Sequence, residues 1–292
     1  MSHNHAVLGR RQWLKAGGAL ALAHALPAGA QQLPAPRLIA LGGAITEVVY
    51  ALGAEALLVA TDTTSLYPEA ATRTTKVGYL RQLSAEGLLS LRPDALVGSS
   101  EAGPALVLDQ VRAAGVRVEL VPSSHDFQEV LRKVEVVGQL TQRPAQAQTL
   151  AQQLQQQWQG VSAQVQQAAR QPRALFVLSH SGSPMVAGRG TAAHALLALA
   201  GAHNVVTQFE GYRPLTAEAM AALAPEVIVN TSQGIEALGG EQAFWRRPEL
   251  ALTPAFGRKA LVALEASHLL GFGPRMPQAV QLLHHHLLQA VA

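Results

Sequence analysis

Leu83-Ser84-Ala85-Glu86, followed by Leu91-Arg92-Pro93-Asp94-Ala95-Leu96-Val97, returns further along the chain as Leu215-Thr216-Ala217-Glu218, followed by Leu223-Ala224-Pro225-Glu226-Val227-Ile228-Val229. Each block reads as a helix with a glutamate on its first turn, a helix end at proline, and then an apolar run suited to a buried strand. Weaker echoes join them: Ala51-Leu52-Gly53-Ala54 with Leu199-Ala200-Gly201-Ala202, and Val121-Pro122-Ser123-Ser124-His125 with Leu264-Glu265-Ala266-Ser267-His268. Two halves built on one plan predict two similar α/β lobes, and a boundary between lobes is where small ligands bind.

Outward from the first block, apolar strands at 37–41, 57–60, 95–98 and 116–121 alternate with helices at 45–52 and 104–114, as expected of a parallel sheet with helices on its faces. Outward from the second, strands at 174–178, 227–229 and 259–264 alternate with a helix at 191–200, and a helix at 277–291 closes the chain. Between the halves no strand signal occurs. Pro144 stands where a first helical residue belongs, and Leu150, Leu154, Trp158, Val161 and Val165 recur at three- and four-residue steps. This spacing favours a helix of about 24 residues, roughly 36 Å long, over a Gln-rich linker. The expected fold class is therefore α/β: two Rossmann-like lobes with central, mostly parallel sheets joined by one long α-helix. The N-terminal lobe is placed at 31–143, the linking helix at 144–170 and the C-terminal lobe at 171–292, with one core expected in each lobe.

Residues 1–30 read as an address. Arg10-Arg11-Gln12-Trp13-Leu14-Lys15 precedes an uncharged apolar run from Ala16 to Leu26, too short to span a bilayer, and Ala28-Gly29-Ala30 offers small residues for cleavage near Ala30. Paired arginines ahead of a Gly/Ala-rich core suit a twin-arginine export signal, hence a periplasmic protein. Its three cations account for the formal charge of +3, because without them the lysines and arginines balance the 19 acidic residues. No electrostatic case for nucleic acid remains. The chain has no cysteine, which excludes a thioether lipid anchor and thiolate metal sites and leaves stability to packing alone. His284-His285-His286 on one helix point about 100° apart and do not make a metal site. No Walker segment or nucleophile elbow is present.

Two sheets joined by a long helix in an exported chain resemble the helical-backbone periplasmic binding proteins that feed ABC importers. Four segments sharpen the likeness to the haemin-binding branch: Lys76-Val77-Gly78-Tyr79-Leu80-Arg81-Gln82-Leu83, Leu178-Ser179-His180-Ser181-Gly182 with Pro184-Met185-Val186-Ala187-Gly188, Gly211-Tyr212-Arg213-Pro214, and Leu269-Leu270-Gly271-Phe272-Gly273-Pro274-Arg275. The resemblance implies a cleft that carries haem b, one or two per chain, with Tyr79 as the axial ligand of ferric iron. A phenolate is a hard anionic donor suited to Fe(III). A free phenol is protonated at neutral pH, so iron and a nearby cation must together favour the phenolate, and Arg213 is the expected cation. His180, after a buried strand, is the candidate ligand of a second haem, with opposite-face ligation of one haem or a loop role as the alternatives. Arg81, Arg213 and Arg189 border the cleft and suit propionates. Tyr212 and Met185 are candidates for porphyrin packing, Met185 also for the core. Glu86 and Glu218, matched in the repeat, are implied to dock a permease dimer. A monomer supplied through an outer-membrane haem receptor pathway completes the expectation. Cobalamin, a ferric siderophore or a metal ion is the alternative cargo, and a haem-dependent redox enzyme is the alternative class.

Overall fold

The computed structural model describes residues 36–178 and 185–292. The expected export segment at 1–30 and the candidate ligand His180 lie outside the described residues. The first lobe runs β1 (Leu38–Leu41), α1 (Gly43–Ala51), β2 (Leu58–Thr61), α2 (Ala85–Ser90), β3 (Ala95–Ser99), α3 (Ala105–Ala113), β4 (Arg117–Val121) and α4 (Phe127–Leu140). After the long α5 (Pro144–Gln166) come β5 (Arg173–Leu178), β6 (Met185–Ala187), α6 (Ala192–Leu199), β7 (His203–Asn204), β8 (Tyr212–Pro214), α7 (Ala217–Leu223) and β9 (Val227–Thr231). The chain ends with α8 (Ser232–Ala237), α9 (Glu241–Trp245), α10 (Pro254–Arg258), β10 (Leu261–Leu264), α11 (Ala266–Leu270) and α12 (Met276–Ala290).

The repeated blocks form the units α2–β3 and α7–β9. Ser84 Oγ accepts from the N–H of Gly87 and Thr216 Oγ1 from that of Ala219, so each helix is opened by a hydroxyl cap. The first sheet has the order β2-β1-β3-β4, with every pairing parallel. In the second sheet β10, β9, β5 and β7 pair in parallel, while β6 and β8 add antiparallel strands at the β5 edge. The strand expected from Lys259 begins at Leu261, because Lys259 adopts φ 54° and terminates α10.

One core per lobe is corrected to a different arrangement. A small cluster of Ile39, Leu41, Leu88, Leu96, Leu108 and Val111 fills one face of the first sheet. The larger cluster is continuous from Val48, Val97 and Val134 through Leu154 and Val161 of α5 to Phe176, Val229 and Leu283. Helices α4, α5 and α12 each turn an apolar face into this cluster, and the lobes share apolar packing at the base of the cleft. Trp158 of α5 stacks on Phe127 of α4 with centroids 5.1 Å apart and planes 12° from parallel.

Gly138 is the point of closest approach between α4 and α5. A Cβ there would overlap the Ala147 methyl on a facing backbone that cannot withdraw. Gly138→Ala is therefore expected to lower stability by about 1–3 kcal/mol despite its better helix propensity. A urea midpoint at or above wild type would show that the crossing has slack.

Candidate functional site: a cleft at the carboxyl ends of two sheets

Parallel strands of both lobes end at one cleft of about 750 Å³. Gly42 and Gly43 line it after β1, Glu101 after β3, His125 after β4, Leu178 at the end of β5, Gln233 after β9 and Glu265 after β10. Such a crevice, outside the carboxyl ends of strands, is where open α/β sheets bind ligands.

Tyr79 reaches the cleft because of a buried polar scaffold under the turn that precedes it. Asp62, fully buried, accepts from the N–H of Gly42 at 2.8 Å, the N–H of Thr64 at 3.0 Å and the hydroxyl of Ser65 at 2.8 Å. Lys76 Nζ donates to Thr61 Oγ1, Ser65 O and Ala71 O at 2.8–3.0 Å. Gly78 sits at φ 94°, where an L side chain is strained, and its carbonyl accepts from Thr63 N–H at 2.9 Å. Leu80 and Leu83 are buried beyond this turn, whereas Tyr79 is 37% exposed. The apolar residues anchor the segment and leave the phenol at the cleft mouth.

The cation on that phenol is Arg81. Its Nη1 donates to the Tyr79 hydroxyl and its Nη2 to Glu101 Oε2 at 2.6 Å. Burial works against the charge of Arg81, but the hydrogen bond to Tyr79 and the carboxylate of Glu101 outweigh it and raise the guanidinium pKa further. Arg213 instead lies over the Phe209 ring, 5.1 Å from its centroid, and Arg189 faces Glu210 at 3.9 Å on the exposed surface. Neither lines the cleft. Tyr212 does line it, opposite the Tyr79 lobe. Burial raises the pKa of its phenol against the opposing hydrogen bonds of Thr191 and Ala193. Met185 is part of β6, pairing with Leu178 and Pro214, and is not on the cleft wall.

Sequence reasoning missed the charged base of the cleft. Glu129 and Lys133 of α4 form a pair 2.6 Å apart with side chains 3% exposed, and Lys133 Nζ also donates to Phe272 O at 2.9 Å in the other lobe. Glu47 of α1 takes a two-pronged contact from Arg275, at 2.9 Å from Nε and 2.6 Å from Nη2. Burial raises the Glu47 pKa although Arg275 opposes it. His125 packs against Phe272 with centroids 5.4 Å apart. The echo between Ser123-Ser124-His125 and Ala266-Ser267-His268 marked these positions as equivalent but said nothing of their chemistry.

A two-lobed frame with a ligand-sized cleft, apolar walls and a phenol–guanidinium pair at its mouth defines a small-molecule binding protein. The profile described as "Periplasmic binding protein" matches residues 38–267, and the chain belongs to that family. Among solved structures it is similar to the periplasmic haem-binding protein BhuT in complex with two haems: 44% identity, TM-score 0.84, covering 88% of this chain and 99% of that one. It is also similar to the apo form of the periplasmic haem-binding protein RhuT from Roseiflexus sp. RS-1, with 33% identity, TM-score 0.84 and coverage of 88% and 100%. Of curated relatives, the uncharacterised ABC transporter substrate-binding lipoprotein YvrC of Bacillus subtilis is 25% identical over 70% of this chain, which spans 66% of its length. The vitamin B12-binding protein of Yersinia pestis is 27% identical, with 85% of each chain covered.

Proposed function

We propose that this chain captures haem in the cleft and delivers it to an ABC importer, as a periplasmic carrier without turnover. The observation that carries the reading is the Tyr79 hydroxyl, held by Arg81 at the mouth of a ligand-sized cleft. The donor fits ferric iron, since a phenolate is a hard oxygen ligand and the guanidinium compensates its charge. The walls fit a porphyrin, because Leu66, Leu178, Leu270 and Phe272 offer apolar surface. In this reading Tyr79 ligates iron, Tyr212 packs on the macrocycle from the other lobe, and Arg81 is the phenolate's partner. Arg213 and Arg189 remain propionate partners only if their side chains leave Phe209 and Glu210. His180 is the candidate ligand of a second haem b, which the likeness to BhuT with two haems supports. Residues 1–30 are the export signal, and the chain works as a monomer downstream of an outer-membrane receptor pathway.

Titration with haemin tests the reading. A Soret and charge-transfer pattern of high-spin, oxygen-ligated ferric haem is expected, and the absence of any bound Soret band would overturn it. Cobalamin is the second reading, favoured by the B12-binding relative, and a competition titration separates the two. A peroxide turnover assay separates a carrier from a redox enzyme.

Glu86 and Glu218 are the proposed docking points on the permease dimer. A helix that leads into a parallel strand runs opposite to it, so α2 and α7 begin at the carboxyl edges, one on each lobe's cleft rim. Both glutamates are exposed on first turns. Hydrogen bonds from its own backbone N–H and from Thr216 hold the Glu218 pKa down. Two matched acids suit two cationic sites related by a two-fold axis. Glu86→Lys combined with Glu218→Lys is expected to leave haemin binding intact and abolish stimulation of the importer's ATPase in reconstituted vesicles. Normal stimulation would remove the assignment.

A further inference from the structure

Glu101 has no part in the haem-carrier reading above, yet it makes the second contact of the guanidinium on which that reading depends. Its loop is fixed from two directions. Ser100 N–H donates to Val121 O at 2.8 Å, which ties the loop to the end of β4. Gly103 N–H donates to Leu80 O at 2.9 Å and Leu83 N–H to Gly103 O at 3.0 Å, which tie it to the segment that carries Tyr79 and Arg81. The Glu101 carboxylate is thus delivered to a set position beside Arg81 by backbone bonds, not by its own flexible side chain alone.

We propose that Glu101 is a positioning residue that aims Arg81 at the Tyr79 oxygen. The guanidinium is a rigid planar fork. Once Nη2 is held by Glu101 Oε2 at 2.6 Å, the direction of Nη1 is fixed, and Nη1 is the atom that donates to Tyr79. Without that second hold, Arg81, whose side chain is 49% exposed, has many rotamers in which no N–H meets the phenol. The role is orientation, not stability, because an ion pair this exposed contributes little to folding. Its chemical consequence falls on the metal bond. The guanidinium compensates the charge of a ligating phenolate, which favours binding, and at the same time its hydrogen bond draws electron density from the oxygen, which lowers the iron–oxygen stretch, so the aim of Arg81 is read out in that band.

The positioning claim is tested on the ligand-free protein, and only its metal-bond consequence rests on the haem-carrier reading. With arginine labelled at 13Cζ and 15Nη, Arg81 is expected to give two resolved Nη signals from hindered guanidinium rotation, assigned by their loss in Arg81→Lys. The signals should persist in Glu101→Gln, whose carbonyl oxygen still accepts from Nη2, and collapse in Glu101→Ala. Persistence in Glu101→Ala overturns the proposal. Unchanged urea midpoints in both variants ensure that folded proteins are compared. In haemin-loaded protein, resonance Raman should show the iron–phenolate stretch raised in Glu101→Ala and restored in Glu101→Gln. An unshifted band in Glu101→Ala also overturns it, since the aim would then have no effect on the oxygen. If wild type gives no tyrosinate band at all, Tyr79 is not the iron ligand and the rotation measurement alone decides the positioning role; the carrier reading is judged separately, on the Soret titration.

Discussion

Tyr79→Phe is expected to lower haemin affinity by on the order of 100-fold or more, beyond the ~10–100-fold typical when only an outer-shell partner of a metal ligand is removed. The substitution keeps the ring and its packing and deletes one atom, the oxygen that Arg81 holds at the cleft mouth. The absorption bands of oxygen-ligated ferric haem should vanish with it. Two comparisons calibrate the effect. Tyr212→Phe deletes a hydroxyl on the opposite wall that is not the proposed ligand, and losing a neutral hydrogen bond there costs at most about tenfold. Arg81→Ala leaves the ligand and removes its partner, which places it between the other two. Haemin titrations of the three variants order them. Wild-type affinity and spectrum in Tyr79→Phe would exclude Tyr79 as the ligand.

The sequence is most legible where local signals agree. In the repeated block a helix start, a proline and an apolar run all point the same way, and the structure has α2–β3 and α7–β9 there. Likewise the apolar steps from Leu150 to Val165 specify a helix that α5 forms from Pro144 to Gln166. Elements of three residues, such as β6 and β8, are too short for alternation to register, and their antiparallel pairing depends on where β5 ends. Helix α4 carries a readable pattern at Phe127, Val130, Val134 and Val137. Its Glu129 and Lys133 are deceptive, because a charged pair four residues apart ordinarily marks a solvated face. The site follows the same rule. Tyr79 and Arg81 share a segment and could be singled out together. Glu101 and His125 arrive from strand ends 20 or more residues away, and only the sheet order brings them to the same crevice. Resemblance alone puts Arg213 across the cleft from Tyr79, as the cation for its phenolate, whereas in the structure it lies over the Phe209 ring.

The deceptive pair also carries the largest expected effect on stability. Lys133 Nζ donates to Glu129 Oε1 at 2.6 Å, to Phe272 O at 2.9 Å and to Gly271 O at 3.4 Å, joining α4 of one lobe to the loop between α11 and α12 of the other. Lys133→Ala would leave a carboxylate buried without its counter-charge and two carbonyls without their donor. Removing one partner of such a pair costs about 3–5 kcal/mol, a large part of the roughly 5–15 kcal/mol that holds a domain together. Glu129→Gln combined with Lys133→Met should recover most of the loss, because it removes both charges while the amide still accepts from His125 N–H. The pH dependence has a definite sign. Burial lowers the Lys133 pKa below its ordinary 10.5, although Glu129 opposes the shift. The unfolded chain therefore binds the more protons between the two values, and the Lys133 contribution grows as pH rises through that window. Lys133→Ala lacks this alkaline gain. Urea unfolding of wild type, single and double variants from neutral pH towards 10 measures both effects, and a loss under about 1 kcal/mol for Lys133→Ala at neutral pH would mean that the pair behaves as an exposed one.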